Sequence, residues 1–184
     1  MLAHDPKQTA KMTPYPPLAT LYAAGALRAA GDDVALFDGT FEPGLARFEA
    51  MLAAHRPDVF VMIEDIYNFL SKMCLRHQRE TAQRMCTLAK AAGARVIAAG
   101  PDCSDAPEVY LRSGADAVLI GEPDATLLEI CEAWRTGRDK VPAIAGVAHL
   151  SGNRLVRTPA RQNARDLDAV PFPAWDLVDA AAFG

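Results

Sequence analysis

Apolar and polar positions fall in blocks along this chain, with short unbroken apolar runs separated by longer stretches of helical spacing. The clearest run is Val59-Phe60-Val61-Met62-Ile63, which follows Pro57-Asp58 and breaks into Glu64-Asp65-Ile66-Tyr67-Asn68. Such a run, bounded by turn residues, is too short for a self-burying helix and predicts a strand buried on both faces of a parallel sheet. Arg95-Val96-Ile97-Ala98-Ala99 and Ala117-Val118-Leu119-Ile120 repeat the pattern, ending at Gly100-Pro101 and Gly121-Glu122-Pro123. Val34-Ala35-Leu36-Phe37 predicts another short strand, ending at Asp38-Gly39.

Helices are predicted between the runs. Residues 18–30 place Leu18, Leu21, Tyr22, Gly25 and Leu27 on one face, after Pro17 and before Gly31. Residues 43–55, 72–92, 107–113 and 124–136 follow, with Gly93 and Gly114 as stops for the middle two. Strand–helix alternation with short connections predicts an α/β fold, a doubly wound parallel sheet of flavodoxin-like type. In that order the first strand lies inside the sheet. Only Met1-Leu2-Ala3-His4 is available for it, ahead of a proline-rich loop over residues 5–17, so it reads as truncated or absent.

After Gly137 the pattern changes. Val147-Ala148-His149-Leu150 and Arg154-Leu155-Val156-Arg157 predict a hairpin about Gly152-Asn153. Asp166-Leu167-Asp168-Ala169-Val170-Pro171-Phe172-Pro173-Ala174-Trp175-Asp176-Leu177 reads as an extended strap whose aromatics dock elsewhere. We therefore divide the chain into a Rossmann-like domain, residues 1–137, and a hairpin and linker, residues 138–184.

Composition narrows the classes. At 51% hydrophobic and 23% charged, the chain is globular rather than disordered. A net charge of −4 gives no electrostatic pull toward nucleic acid or an anionic membrane, and neither is expected as a partner. No apolar run approaches the roughly 20 residues of a membrane span. The N-terminus lacks the basic and apolar regions of a signal peptide, so the expected location is cytoplasmic. Cys74, Cys86, Cys103 and Cys131 are scattered, with no C-x-x-C or C-x-x-x-C-x-x-C, and offer no zinc or iron–sulfur nest.

Three strand exits converge on one sheet edge: Glu64-Asp65-Ile66-Tyr67-Asn68, Gly100-Pro101-Asp102-Cys103-Ser104-Asp105 and Gly121-Glu122-Pro123-Asp124. That edge is where open α/β sheets bind ligands. Singly, Asp102, Ser104 and Asp124 read as helix caps and turn formers; jointly, the exits predict a pocket. No G-x-G-x-x-G follows a strand and no G-x-x-x-x-G-K-[ST] occurs, which disfavours dinucleotide and Walker-type sites. A phospho-accepting receiver would use an aspartate such as Asp65, but it also wants an acidic pair after the first strand and a lysine after the last. Neither is present. His55, His77 and His149 read as solvated or capping, and none stands in a D-x-H-x-x-G loop.

The order of these pieces resembles the N-terminal cobalamin-binding domain of cobalamin-dependent radical S-adenosylmethionine enzymes. The resemblance rests on Pro14-Tyr15-Pro16-Pro17-Leu18 before Leu21-Tyr22-Ala23-Ala24, on Asp33-Val34-Ala35-Leu36-Phe37-Asp38, and on Arg56-Pro57-Asp58-Val59. Ala99-Gly100-Pro101-Asp102, Gly114-Ala115-Asp116-Ala117-Val118-Leu119-Ile120-Gly121-Glu122 and Ile144-Ala145-Gly146-Val147-Ala148-His149 continue it. The segment 166–177 is its most specific part, and in the family it leads into a catalytic barrel. Three features depart from the family: its first strand reads as truncated or absent, Pro123 stands where G-E-G-E is common, and the cluster motif C-x-x-x-C-x-x-C is missing.

The resemblance implies cobalamin held at the carboxyl edge by Glu64, Asp65, Tyr67, Asn68, Gly100, Asp102, Cys103, Ser104, Gly121 and Glu122, without a protein histidine on cobalt. It implies no catalytic or metal-ligating residue in this chain. The 4Fe–4S cluster, S-adenosylmethionine and methyltransferase chemistry would belong to a downstream radical barrel, expected but absent from the chain. The alternative is a stand-alone binding or interaction domain that has lost the cofactor, with a receiver-like domain behind it.

Overall fold

A computed structural model gives the arrangement of residues 15–42, 44–64, 72–137 and 141–183, the described residues. Helix α1 (Leu18–Ala29) and helix α2 (Ala46–His55) precede strand β1 (Val59–Ile63). Helix α3 (Lys72–Ala91), β2 (Arg95–Ala99), the short helices α4 (Pro101–Asp105) and α5 (Pro107–Arg112), β3 (Ala117–Leu119) and α6 (Asp124–Arg135) follow. The hairpin β4 (Val147–Ser151) and β5 (Arg154–Arg157) completes the regular structure apart from short 3-10 turns.

The sheet order is β1-β2-β3-β4-β5. β1, β2 and β3 are parallel, with Val59 opposite Arg95 and Ile97 opposite Ala117. β4 runs antiparallel to β3 and closes onto β5 through Gly152-Asn153, so the hairpin continues the same sheet. The period of two along each strand divides the core. Met62, Val96, Ala98 and Val118 meet Phe48 of α2, Met85 of α3 and Tyr110 of α5 on one face. Ile63, Ile97, Ala99 and Leu119 meet Ala23 of α1 and Leu127 and Ile130 of α6 on the other. Helices on both faces are the doubly wound α/β arrangement expected from the sequence.

Three local expectations change. Residues 34–37, read as a strand, make no sheet pairing among the described residues, although Phe37 packs on Phe48 with ring centroids 5.3 Å apart. A strand needs a neighbour within one ladder spacing, about 4.8 Å, and β1 stands across a cavity from this segment instead. The exit Pro101–Asp105, read as a loop, is a helical turn begun by Pro101 at its first position. His149, read as solvated or capping, is buried on β4, and its Nε2 has no hydrogen-bond partner among the described residues.

The strap docks by its backbone rather than by its aromatics. Ala174 N–H donates to the Leu21 carbonyl across 3.0 Å, and Arg28 pairs with Asp176 at 2.8 Å. Phe172 points out, 91% exposed. Gly25 is what lets the strap lie so close, because a Cβ there would sit 2.2 Å from the Phe172 carbonyl oxygen.

Candidate functional site

The parallel strands β1, β2 and β3 bring three of their exits to one edge. The first begins at Glu64, whose N–H donates to Ala99 O across 2.9 Å and prolongs the β1–β2 ladder by one step. Asp65, Tyr67 and Asn68 lie outside the described residues. Glu64 is 6% exposed, and its Oε2 accepts the Asp102 N–H across 3.1 Å. Burial, followed by the charge of Asp102, pushes the Glu64 carboxyl up to about 7. It is a carboxylic acid poised to change charge near neutral pH.

The β2 exit turns on Gly100, at φ +130°. A side chain there would meet the Cβ and carbonyl oxygen of Glu64, each at 2.7 Å, so this glycine serves the close approach of β1. Asp102 and Cys103, which follow it, are both buried. Asp102 Oδ2 accepts from Tyr110 OH at 2.6 Å and from Arg79 Nε at 2.7 Å, and its Oδ1 accepts from Arg79 Nη2. Burial alone would raise Asp102, but the hydrogen bonds from Arg79 and Tyr110 outweigh it and hold the carboxyl below its usual value. Burial also pushes the Tyr110 phenol far above its ordinary value, so it remains a proton donor to Asp102. The Cys103 thiol, fully enclosed, is driven up by burial and then by the charge of Glu64. Ser104 stays half-buried, with its N–H on the Gly100 carbonyl at 2.9 Å.

The β3 exit is different in kind. Gly121 adopts φ +80°, and beyond its chain neighbours no described residue stands within 4 Å of where its side chain would project. Gly31, Gly93, Gly137 and Gly152 share this geometry at ordinary turns, so what sets Gly121 apart is its place at the exit of a parallel strand. Glu122 is exposed and accepts the Ala164 N–H across 3.0 Å. Asp124 begins α6, and burial raises its carboxyl.

Sequence reasoning missed several residues that hold these exits. Arg79 and Tyr110 clamp Asp102 from beneath. Thr126, fully buried on α6, accepts from Arg161 Nε at 2.7 Å, and Gly146 N–H donates to Pro159 O at 2.8 Å. The polar tail after the hairpin thereby binds to the β3 exit. An arginine on a charged helix face and a threonine inside a helix carry no sequence signal of such partners.

The described residues hold no group of three or more His, Cys, Asp or Glu arranged for a metal ion, and none of their helices is long and apolar enough to cross a membrane. Of the histidines with described side chains, His55 ends α2, and His149 lies one step past the Val118–Ala148 pair, away from the β3 exit.

Comparison with known proteins decides the family. The B12 binding domain matches residues 12–151, most of the chain and all of its parallel strands. The chain belongs to the B12 binding domain family. A search of curated proteins finds no match. Among solved structures it is similar to the radical S-adenosylmethionine methyltransferase TsrM from Kitasatospora setae with cobalamin and a 4Fe–4S cluster bound, at 20% identity and TM-score 0.66 over 87% of this chain and 29% of that one. The same enzyme with a tryptophan substrate and an S-adenosylmethionine analogue bound gives 21% identity and TM-score 0.66 over 79% of this chain and 28% of that one. OxsB, a cobalamin-dependent S-adenosylmethionine radical enzyme with aqua-cobalamin and S-adenosylmethionine bound, gives 15% identity and TM-score 0.72 over 95% of this chain and 24% of that one. At these identities the likeness is one of fold. The chain spans less than a third of the length of the enzymes it resembles.

Proposed function

We propose that this domain holds cobalamin across the exits of β1, β2 and β3 and presents it to a radical S-adenosylmethionine barrel for methyl transfer. The observation that carries the reading is the convergence of three parallel strand exits on one edge of a B12 binding domain, with a left-handed Gly121 at the β3 exit. Gly121 and Glu122 would border the ligand on that side, and Glu64, Gly100 and Ser104 on the other. Asp65, Tyr67 and Asn68 continue the β1 exit in sequence and complete the proposed set. Asp102 and Cys103 act from below, setting the course of the α4 turn rather than touching the ligand.

Bound cobalamin would supply a cobalt centre able to carry a methyl group between donor and acceptor. The chain's own contribution is position and dryness. As the sequence has no D-x-H-x-x-G loop, cobalt would be held without a protein imidazole. Glu64 would place a protonatable carboxyl beside the ligand, neutral below about pH 7 and anionic above it. Cluster and S-adenosylmethionine chemistry would come from the barrel.

Titration of the purified chain with hydroxocobalamin, followed by absorption and calorimetry, tests the reading. Saturable one-to-one binding is expected. A chain shown to be folded that binds no cobalamin would overturn it and leave the stand-alone interaction domain.

A further inference from the structure

The chain that leaves β5 comes back to the β3 exit and is held there by polar groups. Of residues 159–165, which form no regular structure, only Arg161 is not exposed, so burial of apolar surface does not fix the segment. Pro159 O accepts the Gly146 N–H across 2.8 Å, and Gly146 O accepts the Ile120 N–H, also across 2.8 Å. Arg161 forks onto α6, donating from Nε to Thr126 Oγ1 and pairing Nη2 with Glu129 Oε2, each across 2.7 Å. The two acceptors are three residues apart and share one face of the helix. Gly146, at φ +77°, leaves room for that reach, since a Cβ there would meet Arg161 Cβ and Thr126 Oγ1 at 3.2 Å each. Ala164 N–H then donates to Glu122 Oε2 across 3.0 Å.

Gln162 and Asn163 span the gap between the anchor on α6 and the anchor on the exit itself, and both are exposed. Ordering such a segment costs conformational entropy, and what the ties give in return is a fixed place beside Gly121 and Glu122. Each of the two carboxamides both donates and accepts hydrogen bonds. The corrin ring of cobalamin is fringed with carboxamides of the same chemistry. With cobalamin at this edge, as put forward above, we propose that Gln162 and Asn163 form the rim of its site on the β3 side and that Arg161 is the positioning residue that holds the rim. Glu122 then borders the ligand by latching the tail, not by touching it. Tail closure and ligand binding use one arrangement, so each favours the other by the same factor.

Hydroxocobalamin titration of the full chain tests this in a cycle of variants. Arg161→Met and the double variant Gln162→Ala, Asn163→Ala should each bind about tenfold more weakly than the parent. The double variant should keep the parent's melting temperature, because it alters only exposed side chains. A residue that acts through the rim has nothing left to position once the rim is gone. Adding Arg161→Met to the double variant should therefore cost no more than about a further twofold. A full additive loss, about a hundredfold in all, would overturn the positioning role. If Arg161→Met fails to fold, the double variant decides alone, and its undiminished binding beside a parent that binds would overturn the rim while leaving the cobalamin site standing. A folded parent that binds no hydroxocobalamin would overturn the function and the rim together.

Discussion

The backbone N–H of Asp102 donates to Oε2 of Glu64 across 3.1 Å, tying the exit of β2 to the exit of β1. The bond favours the Glu64 carboxylate, but burial and then the charge of Asp102 outweigh it and push the carboxyl up from 4.5 to about 7. A carboxyl raised on folding binds its proton more tightly in the native state. Its contribution is therefore full below about pH 4.5 and is lost as pH rises through about 7. The whole swing is at most about 3 kcal/mol. Glu64→Gln keeps an acceptor for Asp102 and removes the charge. Urea unfolding should show the variant more stable than the parent at pH 8 by about 1–3 kcal/mol, with little difference at pH 4.5. Equal slopes against pH in the two proteins would reject this account of Glu64.

Asp102 titrates in the opposite sense. Its folded value lies below the ordinary 3.8, so its contribution is present above that value and lost as pH falls through the folded one. Tyr110→Phe removes one of its three hydrogen bonds and should cost about 1–2 kcal/mol. Asp102→Asn also loses the charge facing Arg79, which is partly solvated, and should cost about 2–3 kcal/mol while flattening the acid limb. Thermal unfolding of the two variants at pH 7 checks the order, and acid titration of Asp102→Asn checks the limb. A Tyr110→Phe variant costlier than Asp102→Asn would mean that ring packing, not the carboxylate, holds the α4 turn.

Gly25 gives a test in which two effects have opposite signs. In an exposed helix interior, Gly→Ala stabilises by about 1 kcal/mol. Here the new methyl would meet the Phe172 carbonyl at 2.2 Å and drive the strap from the groove where Ala174 bonds to Leu21. Gly25→Ala should therefore lower the melting temperature and speed tryptic cleavage at Arg161 and Arg165. A variant more stable than the parent, with unchanged proteolysis, would show that the strap does not depend on this contact.

The parts of the fold legible in sequence are those whose signal is local. Val59–Ile63, Arg95–Ala99 and Ala117–Leu119 announce themselves as apolar runs, and Gly152-Asn153 announces its turn. Residues 34–37 carry the same kind of signal and still make no ladder with any described residue, because pairing is a property of two segments and the partner is not encoded in the run. Cys103 and Asp102 read as loop residues beside a ligand because Pro101-Asp102-Cys103-Ser104 has no helical period. The burial of both, and the Arg79–Asp102–Tyr110 clamp, follow from chain crossings of 23 and 8 residues that no spacing rule anticipates. Gly100 and Gly121 looked alike in sequence, each a glycine after a strand. The structure gives them different tasks.

That difference yields a paired prediction. At Gly100 a Cβ would strike Glu64 Cβ and its carbonyl oxygen at 2.7 Å, and the φ of +130° is one that L-residues rarely adopt. Neither backbone atom nor Cβ can swing aside, so Gly100→Ala should cost about 2–4 kcal/mol or prevent folding. At Gly121 only the left-handed backbone opposes a side chain, costing about 1–2 kcal/mol, and there is nothing to collide with in the unliganded domain. Gly121→Ala should fold, and Gly121→Val should fold with a somewhat larger cost because its branched side chain resists positive φ. If the space beside Gly121 belongs to cobalamin, these two variants lose affinity by at least about tenfold, valine more than alanine, at nearly unchanged circular dichroism. Binding and stability thus separate between two glycines that occupy equivalent places at neighbouring strand exits. Undiminished hydroxocobalamin binding by Gly121→Val would move the ligand off the β3 exit and require the edge between Glu64 and Ser104 to hold it alone.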